Sequence, residues 1–106
     1  MGKKAKGYEM DLSILCHQFS LVLKSGIHPV EGIPLVLEDT VNPRLRKALE
    51  SIRDEVVFGS PMHSAFEASK AFPAYMTALV KVGEKTGMLE PVFEGLSRFY
   101  ENMANT

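Results

Sequence analysis

The amino-acid sequence predicts an all-α fold, a compact bundle of six helices with short connections. Three observations carry that prediction. Apolar residues recur at spacings of three and four. Proline and glycine divide the chain into six short segments, most opening near a proline and several closing at a glycine. There is no Asn-Gly or Asp-Gly hairpin signal and no period-two strand.

Residues 1–8, with Lys3, Lys4 and Lys6 and two glycines, read as a solvated basic tail, and the Met1-Gly2 start suits an expression scar. Residues 9–106 read as one domain. The first segment runs from about Met10 to Ser25, where Leu12, Leu15, Cys16, Phe19, Val22 and Leu23 form an inward stripe and Gly26 supplies a C-terminal stop. The second runs from Pro29, a good first helical residue, to about Thr40. Pro34 lacks an N–H and crowds the carbonyl of Val30, which predicts a kink or a late helix start. Asn42-Pro43 caps and opens the third segment, whose Leu45, Ala48, Leu49, Ile52 and Val56 face inward and which Gly59 ends. On its outer face Arg46 and Glu50 attract while Glu50 and Asp54 repel.

Ser60-Pro61 is expected to cap a short fourth segment that turns Met62, Ala65 and Phe66 inward. Pro73 opens the fifth, where Met76, Leu79, Val80 and Gly83 share a face and Gly87 makes the stop. The sixth, about Met88 to Met103, has the clearest stripe: Leu89, Val92, Phe93, Leu96, Phe99, Tyr100 and Met103. Glu90, Glu94, Arg98 and Glu101 lie opposite it.

Composition narrows the function. The 106 residues make one domain, and 45% hydrophobic residues suffice for one core. A formal net charge of -1 argues against a nucleic-acid binder, whose affinity comes mostly from phosphate contacts. One cysteine, Cys16, forms no internal disulfide and fits a reducing compartment. No apolar run is long enough to span a bilayer as a helix, which takes roughly 20 residues.

Candidate chemistry is sparse. His17, His28 and His63 have no ligand spacing, so no metal is expected; Glu84 is one carboxylate, far short of a calcium shell. Cys16 and His17 are helix neighbours that point apart, and the inward stripe assigns Cys16 to the core. Gly83-Glu84-Lys85-Thr86-Gly87 is not a phosphate loop, because Glu84 precedes the lysine and the context is a helix end. No catalytic constellation and no cofactor site emerge. Gly83 suits a close helix approach and Gly87 a tight turn. Glu84 is then either an exposed residue at a helix C-cap or a contact group. Ile14, His17, Gln18 and Leu21 form a mixed second face on the first helix, a candidate surface for a weak homodimer.

The order of these pieces resembles the cytoplasmic repeat of the type II secretion system F protein and type IV pilus platform protein family. The matching residues run from Leu15 to Glu101. They are Cys16-His17-Gln18-Phe19, Leu23-x-Ser25-Gly26-Ile27, Asn42-Pro43-x-Leu45-Arg46-x-x-Leu49 and Gly59-Ser60-x-x-x-Ser64-Ala65-Phe66. Phe72-Pro73, Val82-Gly83-Glu84-Lys85-Thr86-Gly87-x-Leu89 and Phe99-Tyr100-Glu101 complete the series. Two departures are Pro29, displaced from the position of His28 where the family commonly has proline, and Pro34 inside the second helix.

The resemblance implies a six-helix domain, the first of two repeats in a polytopic protein of the inner membrane, placed on the cytoplasmic side. It implies a non-enzymatic role: docking the assembly ATPase and other platform subunits and coupling them to pilin assembly, with pilin-type subunits met through the full-length protein. Partner surfaces are expected at Gly83, Glu84 and Lys85, and on the third segment at Arg46, Lys47, Glu50 and Arg53. A free-standing helical adaptor is the competing reading.

Overall fold

The computed structural model describes residues 2–106, with side chains from residue 7 onward. Six helices follow in order: α1 (Gly2–Lys24), α2 (Pro29–Asp39), α3 (Pro43–Val57), α4 (Met62–Ser69), α5 (Ala74–Thr86) and α6 (Leu89–Ala104). Among the described residues there is no strand. Each helix packs on the next, and α6 returns to α1, closing a ring in a body of 40 × 24 × 23 Å.

The antiparallel pair α1 and α6 is the spine. Ser13 and Ser97 are small enough to let the two backbones approach. The buried Ser13 hydroxyl donates to the Ser97 carbonyl at 2.8 Å, so the polar group is not left unpaired. Further along, Phe19 and Phe93 stack with centroids 4.7 Å apart. Phe66 of α4 tilts against both, and Ile33, Leu49, Ile52 and Met76 complete the interior. Each such side chain stabilises the fold by about 1.5–3 kcal/mol through burial.

α1, α3 and α5 end in the same way. Gly26, Gly59 and Gly87 adopt φ of 88°, 103° and 72°. Side-chain-bearing residues resist that region. The next N–H then reaches back to close the helix: Ile27 to the Val22 carbonyl (3.4 Å), Ser60 to Glu55 (3.1 Å) and Met88 to Gly83 (2.8 Å). This is the glycine-ended helix stop that satisfies terminal carbonyls. All three turns lie at one end of the molecule, where they line a common groove. At the other end Asn42 caps α3 by accepting from the Arg44 and Leu45 N–H groups. Its amide also donates to Asp11 at 2.8 Å.

Four expectations need correction. α1 does not begin near Met10: the helix runs from Gly2, and Tyr8, expected in a tail, is half-buried with its hydroxyl donating to the Ala71 carbonyl. Met1 and the side chains of Lys3, Lys4 and Lys6 lie outside the described residues. Of the two outcomes expected at Pro34, the late start does not occur: α2 begins at Pro29 and runs through Pro34, which is exposed. The Val30 carbonyl that loses a donor belongs to an exposed residue within reach of water, so the cost is small. Ser60 does not cap α4, since its hydroxyl pairs with Glu55 at 3.2 Å. Phe99 and Met103, expected to face inward, are exposed, because α1 leaves the outer edge of the α6 stripe uncovered.

Candidate functional site

The three glycine turns enclose an open groove of about 700 Å³. Leu23, Ile27, Val56, Met62 and Leu89 give it apolar walls. Backbone at Gly26, Gly59, Gly83 and Gly87 forms much of the rest, and the ionisable lining is His28, Glu84 and Glu90.

The Gly83–Gly87 segment is built for this corner. A methyl added at Gly83 would sit 3.0 Å from Val92 Cγ2, 3.1 Å from Leu89 Cδ2 and 3.2 Å from the Leu89 Cα. The bare backbone therefore lets α6 turn tightly against α5, as the sequence predicts. Gly32 uses the same device, for a methyl there would meet Val22 Cγ1 at 2.8 Å. Nothing in the local pattern around Gly32 marks it.

Glu84 is not a free residue at a helix end. Its Oε2 accepts from the Met62 N–H at 2.7 Å and its Oε1 from the His63 N–H at 3.1 Å. The His63 Nδ1 lies 2.7 Å from Oε1 and donates to it when that nitrogen carries the proton. The carboxylate thus caps α4, whose own N-cap, Pro61, offers no side-chain acceptor. Burial pushes the Glu84 carboxyl up, but the hydrogen bonds from His63 and the two backbone N–H groups outweigh it and hold the group below its ordinary value. In the sequence His63 is only an isolated imidazole without ligand spacing, and no local signal joins it to Glu84.

The other predicted residues separate into distinct places. Lys85 is exposed in the last turn of α5, where it faces the negative end of the helix. Arg46 is half-buried at the opposite end of the molecule, and its Nη1 donates to the Leu37 and Thr40 carbonyls at 2.9 and 3.0 Å. It closes the C-terminus of α2 instead of pairing with Glu50. Lys47 and Glu50 are exposed, and Arg53 pairs with Asp54 at 3.2 Å. On α1, Ile14, His17 and Leu21 are exposed and Gln18 is half-buried. Ile14 and Gln18 lie beside Val41 of the α2–α3 turn. The groove has one readable trace in the sequence. Val56-Val57-Phe58 before Gly59 is an apolar run of which only Val56 turns inward.

Little chemistry is available. Among the described residues no group of three or more His, Cys, Asp or Glu side chains is placed to hold a metal ion. Cys16 is buried, and burial pushes its thiol up, so it stays protonated and inert. Among the described residues no helix is long and apolar enough to cross a membrane.

Comparison with known proteins gives the context. Residues 15–106 match the family model described as type II secretion system (T2SS), protein F. The type IV pilus assembly protein TapC of Aeromonas hydrophila is 26% identical over 92% of this chain and 24% of its own length. The type II secretion system protein F of Vibrio cholerae is 29% identical over 87% of this chain and 23% of its own. The type IV pilus assembly protein PilC of Thermus thermophilus is 28% identical over 86% and 22%. The chain therefore spans about a quarter of the length of these relatives.

Proposed function

Because the chain belongs to the type II secretion system protein F family, we propose that it is a docking and coupling domain of a membrane platform protein. The family's members are structural platform proteins and not enzymes. In this reading the domain lies on the cytoplasmic side of the inner membrane. It binds the assembly ATPase and other platform subunits and passes their movement to the rest of the protein.

The observation that carries the reading is the closed ring of helices with a groove at one end. Close-packed helices transmit displacement instead of absorbing it. The groove's backbone is fixed by three glycine turns and by the Glu84 cap, so it presents a preformed surface. The charges of α3, Lys47, Glu50 and Arg53, offer a second contact area. The α1 strip of Ile14, His17, Gln18 and Leu21 serves weak self-association of the platform.

The test is capture of the purified assembly ATPase by the full-length platform protein carrying Lys47→Glu with Arg53→Glu, or Val30→Asp, since the exposed Val30 side chain of α2 also lines the groove. Loss of capture with an unchanged melting temperature is the expected result. Capture equal to the parent for both variants removes the reading.

A further inference from the structure

We propose that the groove between the glycine turns receives a short partner segment in which an apolar side chain is flanked by lysine or arginine. The inference rests on the docking reading above and names the chemistry of what docks.

The first support is charge. Among the described residues that line the groove there is no lysine or arginine, while Glu84 and Glu90 both contribute carboxylates. Helix N-termini would otherwise favour an anion. At α2 and α4 the fold's own groups already cap the helix, and at α6 a carboxylate sits in the first turn. At α2 the His28 Nδ1 accepts from the Val30 N–H at 3.2 Å. Glu84 caps α4, and Glu90 lies in the first turn of α6, where a carboxylate complements the helix dipole. An anionic ligand would meet two carboxylates and few open donors, whereas a cation beside Glu90 gains charge-assisted contacts.

The second support is shape and apolar area. Leu23, Ile27, Val56 and Met62 wall a space of about 700 Å³, room for large side chains of a partner. Beside it, Phe58 is 91% exposed and Val57 70%, on the turn that also supplies Gly59 to the groove. Apolar surface of this kind at a groove edge marks a place that another chain covers. A central apolar anchor with cationic neighbours fits both halves of the surface.

The experiment titrates the 106-residue chain with a fluorescein-labelled peptide in which lysines surround a central leucine–phenylalanine pair. Two control peptides carry glutamates for the lysines, or serines for the apolar pair. Anisotropy gives affinity, and amide chemical shifts give the place. The lysine peptide is expected to shift amides at Leu23, Ile27, Met62 and Leu89. Its affinity should fall about tenfold with Glu90→Lys and fall again in high salt, with neither control binding. Shifts confined to another face, binding of the glutamate peptide, or affinity unchanged in both Glu90→Lys and Glu90→Gln would overturn the proposal. Its fate is separable from that of the docking reading. If the probe occupies the groove while a Glu90→Lys chain still captures the ATPase, the groove chemistry stands and groove-mediated ATPase docking falls. If capture is lost but the probe maps elsewhere, the reverse holds.

Discussion

A single carboxylate, Glu84, meets three nitrogen groups of one short helix, and this fixes what its substitution should do. Glu84→Gln removes the charge from a cap and should lower stability by about 1–2 kcal/mol at neutral pH, measured by urea unfolding. Its pKa is depressed on folding, so the stability it contributes is present above its ordinary value of 4.5 and is lost as pH falls through the lower folded value. The parent should therefore lose stability faster than Glu84→Gln on acidification below that point; parallel curves would show that the cap carries no charge-dependent stability. Gly83→Ala sets a helix-propensity gain of about 1 kcal/mol against overpacking of about 1–3 kcal/mol on the Leu89 backbone. A lower melting temperature is the expected outcome. Tyr100 tells the opposite story, for its hydroxyl is buried with no hydrogen-bond partner among the described residues. Tyr100→Phe should be neutral or stabilising by up to about 1 kcal/mol.

Helices are legible where periodicity and punctuation agree. Asn42-Pro43, Gly26, Gly59 and Gly87 mark their boundaries because each does one local job that sequence encodes. Helix ends closed from a distance leave no such mark. Glu84 caps a helix 22 residues earlier in the chain, and Arg46 satisfies carbonyls that lie six and nine residues back. Arg46 therefore reads as a surface charge until its neighbours are placed. The late start expected at Pro34 fails for a different reason, because an exposed carbonyl tolerates loss of its donor. Pro34→Ala should therefore change stability by less than about 1 kcal/mol, since water already satisfies the Val30 carbonyl and the unfolded chain regains freedom. Calorimetry showing a gain of about 2 kcal/mol or more would mean that the missing Val30 bond is costly.

At the scale of the molecule, the ring closes through α1 and α6 and leaves its two ends unlike. One end holds the glycine turns and the groove. The other holds Tyr8, Asn42 and the aromatic pair Tyr75 and Phe99, with centroids 4.6 Å apart. The family is readable from the order of its motifs, but the groove leaves only the Val56-Val57-Phe58 run as a trace, because residues from three turns meet there only after folding. The α1 strip makes a separate prediction: sedimentation equilibrium should show weak self-association that Ile14→Glu abolishes, and a parent that stays monomeric at high concentration would remove that surface. The measurement that bears most directly on the docking role is calorimetric titration of the purified assembly ATPase into the folded 106-residue chain. Saturable binding is expected, weakened by Glu90→Lys and by Val30→Asp while both variants stay folded, the loss of the Glu90 charge at the α6 N-terminus costing no more than about 1 kcal/mol. Absence of binding to the parent chain, or equal binding to all three, would contradict a docking domain with its contact surface at the groove.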